Sequence, residues 1–98
     1  MPEDEYAMTC EGSTVRMEVR GEGEAKKKLE LYVGDSQIPS FVYDAEKKAY
    51  KPKAPRLQTV SILYRISEGL LEGVPEEVKK HAADALQVIL NSEPILTN

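Results

Sequence analysis

The stretch TVRMEVRGEGEAKKKLELYV, residues 14 to 33, decides the fold. Its first seven residues set Val15, Met17 and Val19 between Arg16, Glu18 and Arg20. That period of two buries one face of a β-strand and wets the other. The run at 26–33 repeats the device, with Leu29, Leu31 and Val33 on one face and Lys28, Glu30 and Tyr32 on the other. Between them GEGEA (21–25) reads as a hairpin connection, because glycine enters positive φ at no steric cost. Pairing Met17 with Leu29 and Val15 with Leu31 also sets Glu18 against Lys28 and Arg16 against Glu30. Each such opposite-charge pair is worth roughly a few tenths of a kcal/mol, and that register is the expected one.

Downstream, GDSQ (34–37) is a second turn leading into IPSFVY (38–43). Pro39 has no N–H to give to a ladder, so this strand is expected at a sheet edge or at a bulge. DAEK (44–47) is a third turn, with a short return through Ala49 and Tyr50. Upstream, EYAMTC (5–10) adds a further strand. The first half is therefore an antiparallel meander of three to five strands.

From residue 55 the apolar period changes to that of a helix. Leu57, Val60, Leu63, Ile66, Leu70 and Leu71 recur at intervals of three and four, and Ile62 and Tyr64 widen the stripe. Pro55 suits the first turn and Gly73 supplies a stop. The apolar arc of this helix covers roughly 220°, about twice an ordinary surface stripe, so it needs cover on two sides. A second helix opens at Pro75, where Glu76 and Glu77 favour the positive end of the helix dipole. Val78, Ala82, Ala85, Leu86 and Ile89 form its apolar face, and it ends near Asn91. The link at 73–74 is short enough to fold the two helices back on each other.

The fold class is thus α+β: a β-meander over 1–53, a helical hairpin over 54–91 packed on one face of the sheet, and a tail over 92–98. A chain of 98 residues is expected to make one domain. With 41 % hydrophobic and 31 % charged residues the composition is globular, and with 6 % aromatic residues and no Trp the core is aliphatic. No apolar run approaches the roughly 18 residues of a membrane span. The opening MPEDEY is acidic where a secretion signal would be basic and then apolar. One cysteine, Cys10, allows no intrachain disulfide, and a reducing cytoplasm is the expected compartment.

No catalytic constellation emerges. His81 is the only histidine and lies at the boundary of an apolar helix face, and Cys10 has no motif around it. Metal sites want several ligands at compatible spacing, and none is present. GEGEA lacks the third glycine and following helix of a phosphate loop, and its glutamates would repel phosphate. The expectation is a non-enzymatic protein with no cofactor, no metal and no membrane contact.

Two kinds of partner remain. The wide apolar arc predicts a protein-binding or regulatory domain that self-associates as a homodimer, through Leu63, Ile66, Leu70 and Leu86, or engages a protein partner. The alternative comes from charge. Residues 1–24 hold seven acids and two bases, residues 25–58 eight bases and four acids, and residues 59–98 six acids and three bases. A basic middle so placed predicts single-stranded nucleic-acid contact through Lys26, Lys28, Lys47, Lys48, Tyr50, Lys51, Lys53 and Arg56. Tyr32, Tyr43 and Tyr50 would stack on bases. Against it stand the chain's net charge of −4 and the acids Glu30, Asp44 and Glu46 set among the lysines.

Overall fold

The two-residue period becomes a five-stranded antiparallel sheet in which every strand lies beside its neighbour in sequence, β1-β2-β3-β4-β5. The computed structural model describes residues 5–10, 12–20 and 28–92. The strands are β1 (Glu5–Cys10), β2 (Ser13–Arg20), β3 (Lys28–Val33), β4 (Phe41–Asp44) and β5 (Ala49–Lys51). Two helices follow, α1 (Leu57–Ser67) and α2 (Glu76–Leu90). The connection at GEGEA, Lys26 and Lys27, and the tail beyond Ser92 with Ile95 and Leu96, lie outside the described residues.

The core forms between the helices and one face of the sheet. Val15, Met17, Val19, Leu29, Leu31, Phe41 and Tyr43 point inward to meet Ile62, Leu63, Ile66, Val78, Ala82, Ala85 and Ile89 in one cluster. Cys10 is buried in the same cluster. Burying each large apolar side chain contributes about 1.5–3 kcal/mol, which is why the alternation chose the sheet's orientation.

The register of β2 and β3 differs from the expected one by two residues. Val15 pairs with Val33, Met17 with Leu31 and Val19 with Leu29. This arrangement opposes all three apolar residues of each strand. The expected register would set Val19 against Lys27 and Val33 against Ser13. Apolar burial exceeds the few tenths of a kcal/mol in the surface ion pairs, and it wins. A consequence appears on the outer face, where Glu5, Glu18 and Glu30 stand in one row across three strands. Arg16 offsets their repulsion: its Nε lies 3.1 Å from Glu18 and 3.5 Å from Glu5, and its guanidinium sits 4.2 Å above the Tyr32 ring. Tyr32 in turn donates to Glu30 at 3.0 Å.

Pro39 also differs from expectation. It precedes β4, which starts at Phe41 and lies inside the sheet between β3 and β5. The strand simply begins after the residue that cannot donate.

Helix α1 ends earlier than the sequence pattern suggests. Gly69, at φ +76°, stops it, with Leu70 N–H donating to Arg65 O at 3.0 Å and Gly69 N–H to Ile66 O at 3.1 Å. Leu70 and Leu71 therefore belong to an eight-residue connection, 68 to 75, rather than to the helix or to a two-residue link. A Cβ at position 69 would meet only the flexible end of Lys79, at 3.3 Å, so the demand on this glycine is conformational. Gly69→Ala is expected to lower stability by about 1–2 kcal/mol. A thermal melt reads that as a drop of roughly 4–8 °C per kcal/mol, and an unchanged melting temperature would contradict this account of the helix stop.

Candidate binding groove along the β5 edge

The β4–β5 hairpin is built around Asp44, whose carboxylate accepts the N–H groups of Glu46 at 3.0 Å and Lys47 at 3.3 Å. This local capping is what Asp does well at a turn. It brings the chain to Lys48, the one described non-glycine residue with positive φ, at 53°. A side chain is disfavoured there by about 1–2 kcal/mol, and this one makes a contact. Lys48 Nζ lies 2.9 Å from Asp84 Oδ2 on α2.

The same carboxylate oxygen accepts the Tyr43 hydroxyl at 2.5 Å. Tyr43 is wholly buried, and its ring sits on the inner face of β4 while its hydroxyl reaches α2. Burial, reinforced by the hydrogen bond to Asp84 and the negative charge beside it, pushes the phenol well above its ordinary range. The Tyr43 hydrogen bond, helped by Lys48, holds the Asp84 carboxyl below its ordinary value despite partial burial. Beside them His81 is half-buried, and its Nε2 is enclosed without a hydrogen-bond partner among the described residues.

Three open concavities meet at this corner. One lies over α2, lined by Lys48, Glu77, Lys80, His81, Asp84 and Gln87. A second, of about 430 Å³, runs between β5 and the end of α2, lined by Lys48, Tyr50, Lys51, Lys53, Val88 and Ser92. The third lies on the outer sheet face, with Lys28, Val42, Asp44, Lys47, Tyr50 and Lys51. Their walls hold six lysines against the acids Asp44, Glu77 and Asp84. The lysines outnumber the acids, even with Lys48 paired to Asp84, so the corner is cationic on a chain of net negative charge. Along it runs β5, last in the sheet order, with no strand beyond it among the described residues.

The structure thus gathers Lys28, Lys47, Lys48, Tyr50, Lys51 and Lys53 at one edge, all five lysines exposed. Arg56 stands at the N-cap position of α1, with no side-chain capping bond, and lines a separate concavity with Val33 and Pro52. Lys26 falls outside the described residues. The three tyrosines do not form a stacking surface. Tyr43 is in the core, Tyr32 is buried under Arg16, and Tyr50 stacks on Phe41 with ring centres 6.1 Å apart.

Two of the four helix-face residues require a correction. Leu63 and Ile66 are both 0 % exposed, sealed between the sheet and α2. Leu86 is half-buried against the core, and Leu70 is exposed but lies in the connection. The middle of the apolar arc of α1 is used inside the chain, between the sheet and α2, while Leu57 and Tyr64 at its flanks stay more than half exposed. The contact that sequence reading missed is Tyr43–Asp84, with its partners 41 residues apart. One signal pointed to half of it: Tyr43 shares the parity of Phe41, so an inward ring was legible.

Among the described residues no group of three or more His, Cys, Asp or Glu is placed to hold a metal ion. No helix there is long and apolar enough to cross a membrane. Compared with known proteins, the chain matches no family model, no curated protein and no solved structure.

Proposed function

We propose that this protein is a non-enzymatic binding domain that takes an extended acidic polypeptide segment along the β5 edge. The observation that carries the reading is one place holding three features. There is a strand edge with no further strand beside it among the described residues, a partly apolar floor of Tyr50 and Val88, and a rim of lysines. An added strand finds backbone partners on such an edge, and charge on the rim selects for acidic side chains. The same lysines discourage pairing with a second lysine-lined edge.

The tyrosines favour a peptide over single-stranded nucleic acid. Stacking on aromatic faces supplies much of the affinity for unpaired bases, and here the rings are committed to the core, to Arg16 and to Phe41. Acid–base chemistry by the Tyr43–Asp84 pair is disfavoured for a separate reason. A working group has a pKa near the operating pH, whereas Tyr43 is shifted up and Asp84 down, both away from neutrality.

Fluorescence anisotropy with a labelled peptide of alternating glutamate and valine tests the reading. Saturable binding that weakens as salt rises is expected. Reversing both charges in a Lys51→Glu, Lys53→Glu variant is expected to weaken it about tenfold or more. Two outcomes would overturn the proposal. One is no binding at low salt; the other is tight binding of oligothymidylate with none of the peptide.

A further inference from the structure

The two edges of the sheet are unlike, and the difference bears on self-association. β5 is three residues long, flanked by lysines and followed by Pro52, which set it against pairing with the equally cationic edge of a second copy while leaving it open to an acidic segment. β1 has none of these features. It is six residues long, EYAMTC, and it pairs with β2 without interruption from Glu5 to Cys10. It contains no Lys or Pro, and no strand lies beyond it among the described residues.

We infer that β1 is the interface for a second copy of this chain, the two strands pairing antiparallel about a two-fold axis at Ala7. An antiparallel pair of identical strands is self-complementary by construction, as a two-fold dimer requires. The pleat then restricts the register. Residues directly opposite must share a face, or the core side of one copy would continue into the wet side of the other. Only registers centred on a residue satisfy this.

Centring on Met8 would set Tyr6 opposite Cys10, which is 2 % exposed and already enclosed in its own core. Centring on Ala7 sets Glu5 opposite the neutral Thr9 and brings Tyr6 against Met8 twice on the core side. Tyr6 and Met8 are half-buried, packed at the margin of the core, and a ring against a thioether is a favourable contact. The product is one continuous ten-stranded sheet with all four helices on one side and the two β5 edges at its far ends.

Light scattering on a dilution series and cysteine crosslinking test this together. In the pair, the two copies of residue 7 have Cα atoms about 4.5–5.5 Å apart, within disulfide reach. The two copies of residue 9 are displaced by roughly 14 Å along the strands. Both Ala7 and Thr9 are exposed on the outer face, whereas Cys10 is 2 % exposed and out of reach.

A dimer of the wild-type chain is expected, with Ala7→Cys oxidising to a covalent dimer and Thr9→Cys remaining unlinked. Ala7→Asp opposes two carboxylates on the axis and is expected to raise the dimer Kd about tenfold or more. Its melting curve shows whether the monomer is still folded. A wild-type monomer at high concentration overturns the inference, as does equal crosslinking at positions 7 and 9. Peptide binding at β5 should survive Ala7→Asp, so failure here and failure of the binding proposal are told apart.

Discussion

Ile66→Ala is expected to lower the unfolding free energy by about 2–5 kcal/mol, by the same amount at every protein concentration. Ile66 is 0 % exposed and lies in the cluster joining α1, α2 and the sheet. Truncation removes buried methyl groups and leaves a cavity that the rigid sheet on one side and α2 on the other cannot close. A residue at a subunit interface behaves differently, because its loss shifts the assembly equilibrium and the effect then depends on dilution. Urea unfolding at two widely separated concentrations separates the cases. A change in stability below 1 kcal/mol, or one that vanishes on dilution, would contradict the placement of this side chain in the chain's own core.

Asp84→Ala carries the second large effect, about 1–3 kcal/mol. The variant strips the wholly buried Tyr43 hydroxyl of its acceptor and leaves Lys48 without its partner. Tyr43→Phe should cost less, about 1 kcal/mol, since Asp84 keeps Lys48 and some solvent. The double variant should be no worse than Asp84→Ala alone, because the unsatisfied hydroxyl is gone. Strict additivity would mean that the two side chains do not support each other.

The same pair shapes the pH profile. Tyr43 is raised above its ordinary value of 10.0, so the stability it confers is present below that pH and declines as pH rises beyond it. Asp84 is lowered from 3.8, so its contribution is present above that value and is lost as pH falls further. Stability should be level in this respect across neutral pH and fall at both ends. Tyr43→Phe should flatten the alkaline fall in urea midpoints.

The faces of the strands were legible because alternation is a local property. Val15 to Val19 and Leu29 to Val33 point where their parity says. Register was not legible, because a shift of two residues leaves every side chain on the same face and changes only its partner. Weak charge pairs favour one register and the apolar pairs the other. The end of α1 was ambiguous for a different reason. Two glycines follow it, Gly69 and Gly73, and both take positive φ, yet only the first meets carbonyls still needing donors. The lysines of the candidate groove were visible as a cluster in sequence. Their assembly around β5 was not, since it depends on α2 and on Asp84, which lies 36 residues beyond Lys48 and reads in sequence as one more solvated acid on a polar face.

The strand order has a kinetic meaning. Each strand bonds to its immediate predecessor, and α2 packs on α1, so most contacts close short loops. Short loops lose little chain entropy on closing, and chains dominated by such contacts cross their folding barrier quickly. The hairpin of β1 and β2 already has both its strands within the first 20 residues. No strand waits for a distant partner before it can pair, which shortens the time during which a sticky edge lies open to a neighbouring chain.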